Sequence, residues 1–229
     1  NNGSSVKLRV DSSGRVLMGL TSARANTFNA SAAPQVQVEG TNANLASIGI
    51  FCSASDVDGG RLLLAHQRSG GVGGNTIVND DDQTGSITFQ GSDGTQFVES
   101  AAIKAEIDGT PGADDMPGRL TFLTTADGAA SATERLRIDS RGSFNFSNGF
   151  MNETVKINTA ARTGTQAVNL DEGMVHYFST NSSGTWKPNF TMSAGDDINA
   201  TIATGDVFSP TMIVAKGATT HYANAIQVD

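Results

Sequence analysis

Leu136-Arg137-Ile138-Asp139-Ser140-Arg141-Gly142-Ser143 decides how this chain is read, because its counterpart stands 128 residues earlier as Leu8-Arg9-Val10-Asp11-Ser12-Ser13-Gly14-Arg15. In both copies apolar residues alternate with arginine and then give way to Asp-x-x-Gly. Period-two alternation marks a half-buried strand, and Asp with Gly supplies the left-handed backbone of a tight hairpin. One hairpin is therefore used twice. The same alternation extends to Val6, Leu8 and Val10, to Ile103, Ala105 and Ile107, to Ile87 and Phe89, and to Trp186, Pro188, Phe190 and Met192. Turn signals of the same kind stand at Asp58-Gly59-Gly60, Ser92-Asp93-Gly94, Ile107-Asp108-Gly109 and Ala126-Asp127-Gly128.

A second similarity links the stretch from Ile48 through Asp58-Gly59-Gly60-Arg61-Leu62-Leu63-Leu64 with that from Ile103 through Met116-Pro117-Gly118-Arg119-Leu120-Thr121-Phe122. A strand-turn-strand unit with one apolar face cannot close a core by itself, so its copies must stack or pair with other chains. Near residue 150 the Asp-Gly turns fade, and Trp186, Tyr177 and Tyr222, all of the Trp and Tyr in the chain, lie beyond it. A boundary is expected there, between a repetitive β shaft over 1–150 and a C-terminal module over 151–229. One helical candidate remains, Thr21 to Ala33, rich in Ala and Ser but poorly spaced in apolar residues.

Composition narrows the classes further. Leu, Ile, Val and Phe number 49 of 229 residues, about 21% and just above the level at which disorder is the better reading. The core is thin. Gly, at 26 residues, is more frequent than usual, which favours short strands over long helices. Fifteen Lys and Arg against 23 Asp and Glu give a net charge of −8, the wrong sign for holding a phosphate backbone, so no nucleic-acid partner is expected. Cys52 stands alone and forms no intrachain disulfide. No run approaches 18 apolar residues, so membrane insertion is not expected.

Gly118-Arg119-Leu120-Thr121-Phe122, followed by Thr133-Glu134-Arg135-Leu136-Arg137-Ile138-Asp139-Ser140-Arg141-Gly142, resembles the shaft segments of tail-fibre and related virion structural proteins of tailed bacteriophages, cyanobacterial phages among them. Val155-Lys156-Ile157-Asn158, Trp186-Lys187-Pro188-Asn189-Phe190 and His221-Tyr222-Ala223-Asn224 look like a β-rich module of cyanophage virion proteins. The first hairpin departs from the pattern, with Val6-Lys7 where Glu-Arg is usual and Arg15-Val16-Leu17-Met18-Gly19 as its ending. Many such fibres end in a self-cleaving chaperone domain; none is read here. The resemblance implies an all-β chain, an elongated repetitive β-hairpin shaft followed by a β-sandwich-like C-terminal module, assembled as a homotrimer. It further implies a structural, non-enzymatic component of a tail fibre or related appendage on the virion, alongside other virion proteins and presenting a host-contacting or assembly surface. Alternatives are a head decoration or neck fibre protein, a polysaccharide-degrading tailspike, and a bacterial surface adhesin.

No catalytic constellation stands out. His66, His176 and His221 lie in no metal-protease or nucleophile context, and alternation with Val175 and Tyr177 sends His176 to the opposite side, read as the solvent side. Asp80-Asp81-Asp82 and Asp114-Asp115 could offer oxygens to a cation but read as solvated loops. Gly70 to Val78 matches one calcium-roll nonapeptide with Asn75 in place of the ligand Asp, and such rolls work only as stacked repeats. No metal and no cofactor are expected. Trp186, Tyr177 and Tyr222 are the candidate contacts to a host surface glycan, since aromatic rings stack on sugar faces. Against this, Trp186 alternates with Phe190 and Met192, the pattern of a core anchor. Arg9, Arg137, Arg61 and Arg119 are expected to pair with Asp11, Asp139 and carboxylates of neighbouring chains.

Overall fold

The computed structural model describes residues 7–25, 33–192, 198, 203, 205, 207–219 and 221–228. Among these, the elements with defined bounds are fourteen strands and one 3-10 turn. No helix among the described residues is long and apolar enough to cross a membrane. Thr21 to Arg24 form no helix, and most of the remaining helical candidate lies outside the described residues. The chain divides into two compact units, Asn1–Phe150 and Met151–Asp229.

The first unit holds two sheets. β1 (Leu8–Val10), β2 (Val16–Met18) and β3 (Val36–Val38) form the first, β1 and β2 antiparallel and β2 and β3 parallel. The second is an antiparallel meander of β4 (Gln83–Ser92), β5 (Phe97–Ile107), β6 (Gly118–Thr124), β7 (Thr133–Ile138) and β8 (Phe144–Asn145). The two copies of the hairpin are β1–β2 and β7–β8, and they turn identically. Asp11 N donates to Arg15 O at 3.0 Å and Gly14 N to Asp11 O at 3.0 Å; Asp139 N donates to Ser143 O at 3.1 Å and Gly142 N to Asp139 O at 2.9 Å. Gly14 and Gly142 sit at φ +77° and +80°, where a side chain meets its own carbonyl and glycine does not. Pairing follows the period-two pattern: Ile87, Ile103, Phe122 and Leu136 are in register across four strands, so one face of the meander is apolar throughout.

The second unit is wound differently. β9 (Val155–Asn158), β11 (Val175–Phe178) and β13 (Thr211–Val214) pair in parallel in one sheet. β10 (Gly164–Asn169), β12 (Trp186–Thr191) and β14 (Gln227–Val228) pair in parallel in the other. Successive strands alternate between sheets, so the chain makes three rungs of a two-sided parallel solenoid, its sheets joined through a core of Val168, Leu170, Phe178, Phe190 and Ile198. Parallel neighbours need a crossover; here the opposite sheet provides it. A 3-10 turn, Leu170–Glu172, rounds one corner, its Asn169 cap accepting from Asp171 N. Proline is unusual in a central strand. Trp186 N and O both bond toward the third rung, to Tyr222 O and Asn224 N, and two residues on, Pro188 turns its N to that same side. There the ladder is open between Asn224 and Gln227.

Candidate functional site

The Asp-x-x-Gly turns gather charge in a repeated way. Asp11 Oδ1 accepts from Ser13 N and Arg15 N, at 2.9 and 3.1 Å, and Asp139 Oδ1 from Arg141 N and Ser143 N, both at 2.9 Å. The Ser143 amide, with Arg141 beside it, holds the Asp139 carboxyl down at about 2; the Arg15 amide lowers Asp11 in the same direction. These aspartates belong to their own turns, which corrects the expected arginine pairing. Asp11 takes Arg15 and Asp139 takes Arg141. Arg9 instead donates to Thr21 O at 2.7 Å, and Arg137 forms a two-pronged pair with Glu134.

Arg119 forms the densest charged centre. It reaches Asp81 at 2.8 Å, Glu106 at 3.0 Å and Asp108 at 3.4 Å. Burial opposes its charge, but three carboxylates outweigh burial and raise its pKa. Asp108 in turn accepts from Ser140 N, tying the β5–β6 loop to the second hairpin turn. The aspartate run is likewise engaged: Asp80 accepts from Gly109 N, Asp82 pairs with Arg68, and Asp81 with Arg119. No group of three metal-ligating side chains gathers among the described residues.

In the second unit Trp186 is buried and its ring lies 5.6 Å from that of Phe178. The guanidinium of Arg162 stands 5.2 Å over Phe178 and 5.1 Å over Trp186, a stacked geometry suited to its planar charge. Arg162 is itself buried and pairs with no carboxylate among the described residues; Nη1 donates to Thr180 O at 2.8 Å and Nη2 to Ala215 O at 2.9 Å. It thus joins the loop after β9 to the turns after β11 and β13. Burial lowers its pKa. A cavity of about 490 Å3 opens beside it, lined by Trp186, Tyr222, His221 and Lys216. Two of the three candidate aromatic residues therefore share one cavity, Tyr222 with an exposed ring. Tyr177 lies elsewhere, on the outer face of its sheet in register with Ile157 and Ile213.

His176 corrects the expectation that it faces solvent. Alternation with Val175 and Tyr177 holds, but the apolar pair is the outward one. His176 is buried, with Nε2 donating to Asn169 O at 3.1 Å and Nδ1 accepting from Asn158 Nδ2 at 3.4 Å. Polarity alone misassigned the side.

The most extensive feature is uncovered apolar surface. Leu8, Val10, Met18 and Val36 are exposed together on the first sheet; Ile87, Phe89, Leu120 and Phe144 on the meander; Val155, Ile157 and Ile213 on the solenoid. The register that makes each face apolar was legible, and so was the inability of such a unit to cover that face by itself.

No family model matches the chain, and no curated protein does. Solved structures do. The carboxy-terminal domain of the bacteriophage T5 L-shaped tail fibre is similar over 64% of this chain, with 14% identity and a TM-score of 0.50. The match spans 61% of that domain. The same domain with its intramolecular chaperone matches over 69% of this chain and 47% of its own length, at 15% identity and a TM-score of 0.32. Over nearly two thirds of its length, then, this all-β chain has the fold of a bacteriophage tail-fibre carboxy-terminal domain.

Proposed function

We propose that the chain is a structural component of a phage tail fibre, assembled as a homotrimer with other virion proteins in an appendage of the particle. The observation that carries this reading is the set of apolar sheet faces left open by a single chain. The tail-fibre likeness supports it. Each Val, Leu, Ile or Phe moved out of water on assembly contributes about 1.5–3 kcal/mol, so three such faces meeting copies of themselves hold a rod together without disulfides. The role is mechanical, without covalent chemistry. Contact with a host glycan falls to Tyr222 and Tyr177, whose rings reach the surface, while Trp186 serves packing under Arg162.

Light scattering tests assembly and immunogold microscopy of whole particles tests location. The expected results are a mass three times the 23.7 kDa of one chain and label on a fibre. A folded 23.7 kDa species at micromolar concentration, or label confined to the head, would overturn the reading.

A further inference from the structure

The stretch 47–67 is the part of the first unit that one chain leaves least complete. It belongs to no strand or bridge. The backbone bonds that flank it are Ala46 N to Ala43 O, at 3.3 Å, and Arg68 N to Thr76 O, at 3.1 Å. Yet it is no ordinary solvated loop, which would be polar. Ile48, Ile50, Leu62 and Leu64 are exposed, and so, on the alternate positions, are Phe51 at 93% and Leu63 at 86%. Apolar residues on both faces are the pattern of a strand buried on both sides.

The internal repeat says what this stretch does when it has a neighbour. Its counterpart, Ile103 to Phe122, is a ladder in which Ile103 faces Phe122 and Ala105 faces Leu120. In that ladder Arg119 is enclosed by Glu106 and Asp108. Arg61 occupies the same place in the repeat, and it is 76% exposed, with Asp58 as its partner at 3.0 Å. The sequence unit is the same, but its two arms, 48–52 and 61–64, which approach each other at Ile50 and Gly60, form no ladder in one chain.

We propose that residues 47–67 complete their β-ladder with a second copy of this chain. The inference rests on the trimeric reading above and adds which segment crosses between copies. A second copy is the fitting occupant because it brings both the same unpaired segment and β4, the ten-residue edge strand of the meander, against which Leu64 already lies at Gly85.

Amide hydrogen exchange on the full chain, read together with mass, tests this. The expected result is an oligomeric mass with amides 48–52 and 61–66 slowed on the order of a thousandfold against an unstructured peptide. Cys52, exposed in one chain, should react with a maleimide far more slowly in the native assembly than after denaturation. Leu63→Arg should lower the mass or abolish the protection. An oligomer whose 47–67 amides exchange freely and whose Cys52 reacts at once would overturn this inference and leave the trimer standing. A single-chain mass would overturn both.

Discussion

Arg162 shows how one side chain can hold a solenoid corner. Its fork satisfies carbonyls of two other rungs, Thr180 O and Ala215 O, and its plane fills the gap between Phe178 and Trp186. Arg162→Ala removes the donor of two part-buried carbonyls, at about 1 kcal/mol each, so unfolding in urea should come earlier by about 2 kcal/mol. Arg162→Lys should recover less than half, since one ammonium lacks the planar fork. Full recovery would show that charge alone matters. Asp139 sets a second residue-scale expectation. Its folded pKa, about 2, lies below the roughly 3.9 of an unfolded aspartate, so the native state binds fewer protons. The stabilisation is present above about pH 4 and is lost as pH falls toward 2. Asp11 shares the direction. Melting midpoints should therefore drop between about pH 4.5 and 2.5, and Asp139→Asn should start lower and drop less. A flat wild-type profile would remove these turns from the acid response.

At the scale of elements, turn chemistry and strand period were legible together and correct together in the meander, whereas the expected turn at Asp58-Gly59-Gly60 closes no hairpin in one chain. Asp93-Gly94, Asp127-Gly128 and Arg141-Gly142 each place glycine at positive φ in a link of the meander, and the alternation of Ile103 and Ile107 gives β5 its faces. The solenoid was not legible in the same way, because its corners depend on close approach rather than on Asp-Gly signals. Gly173 is such a corner, at φ +129°, where an added Cβ would stand 2.6 Å from Thr154 O. Nothing in Asp171-Glu172-Gly173 distinguishes that need from an ordinary helix end. His176 was misread for a related reason: two facing sheets leave room for a polar side chain if carbonyl and amide partners wait inside, and Asn158 and Asn169 both come from the one neighbouring rung. Gly173→Ala should cost about 3 kcal/mol, since the conformation is open essentially to glycine alone. Gly128→Ala, with open space around it, should cost about 1 kcal/mol. Chemical denaturation of the two variants should rank them in that order; equal losses would mean that the Thr154 approach relaxes freely.

For the whole molecule, sparse apolar residues and open apolar faces state the same physical condition. Forty-nine Leu, Ile, Val and Phe in 229 residues must offset about 1–2 kcal/mol of backbone ordering per residue, and in one chain many of them remain in water. Folding and association then draw on the same surface and should occur as one transition. For three chains melting together, a tenfold rise in chain concentration adds about 2.7 kcal/mol to the free energy required at the midpoint. Spread over the unfolding entropy of three such chains, this raises the midpoint by about 2 °C. Scanning calorimetry over a hundredfold concentration range should thus move the transition by about 4 °C, with a single peak at each concentration. A midpoint that does not move would show that each chain reaches its stability alone, in which case the open faces serve some contact other than trimer assembly.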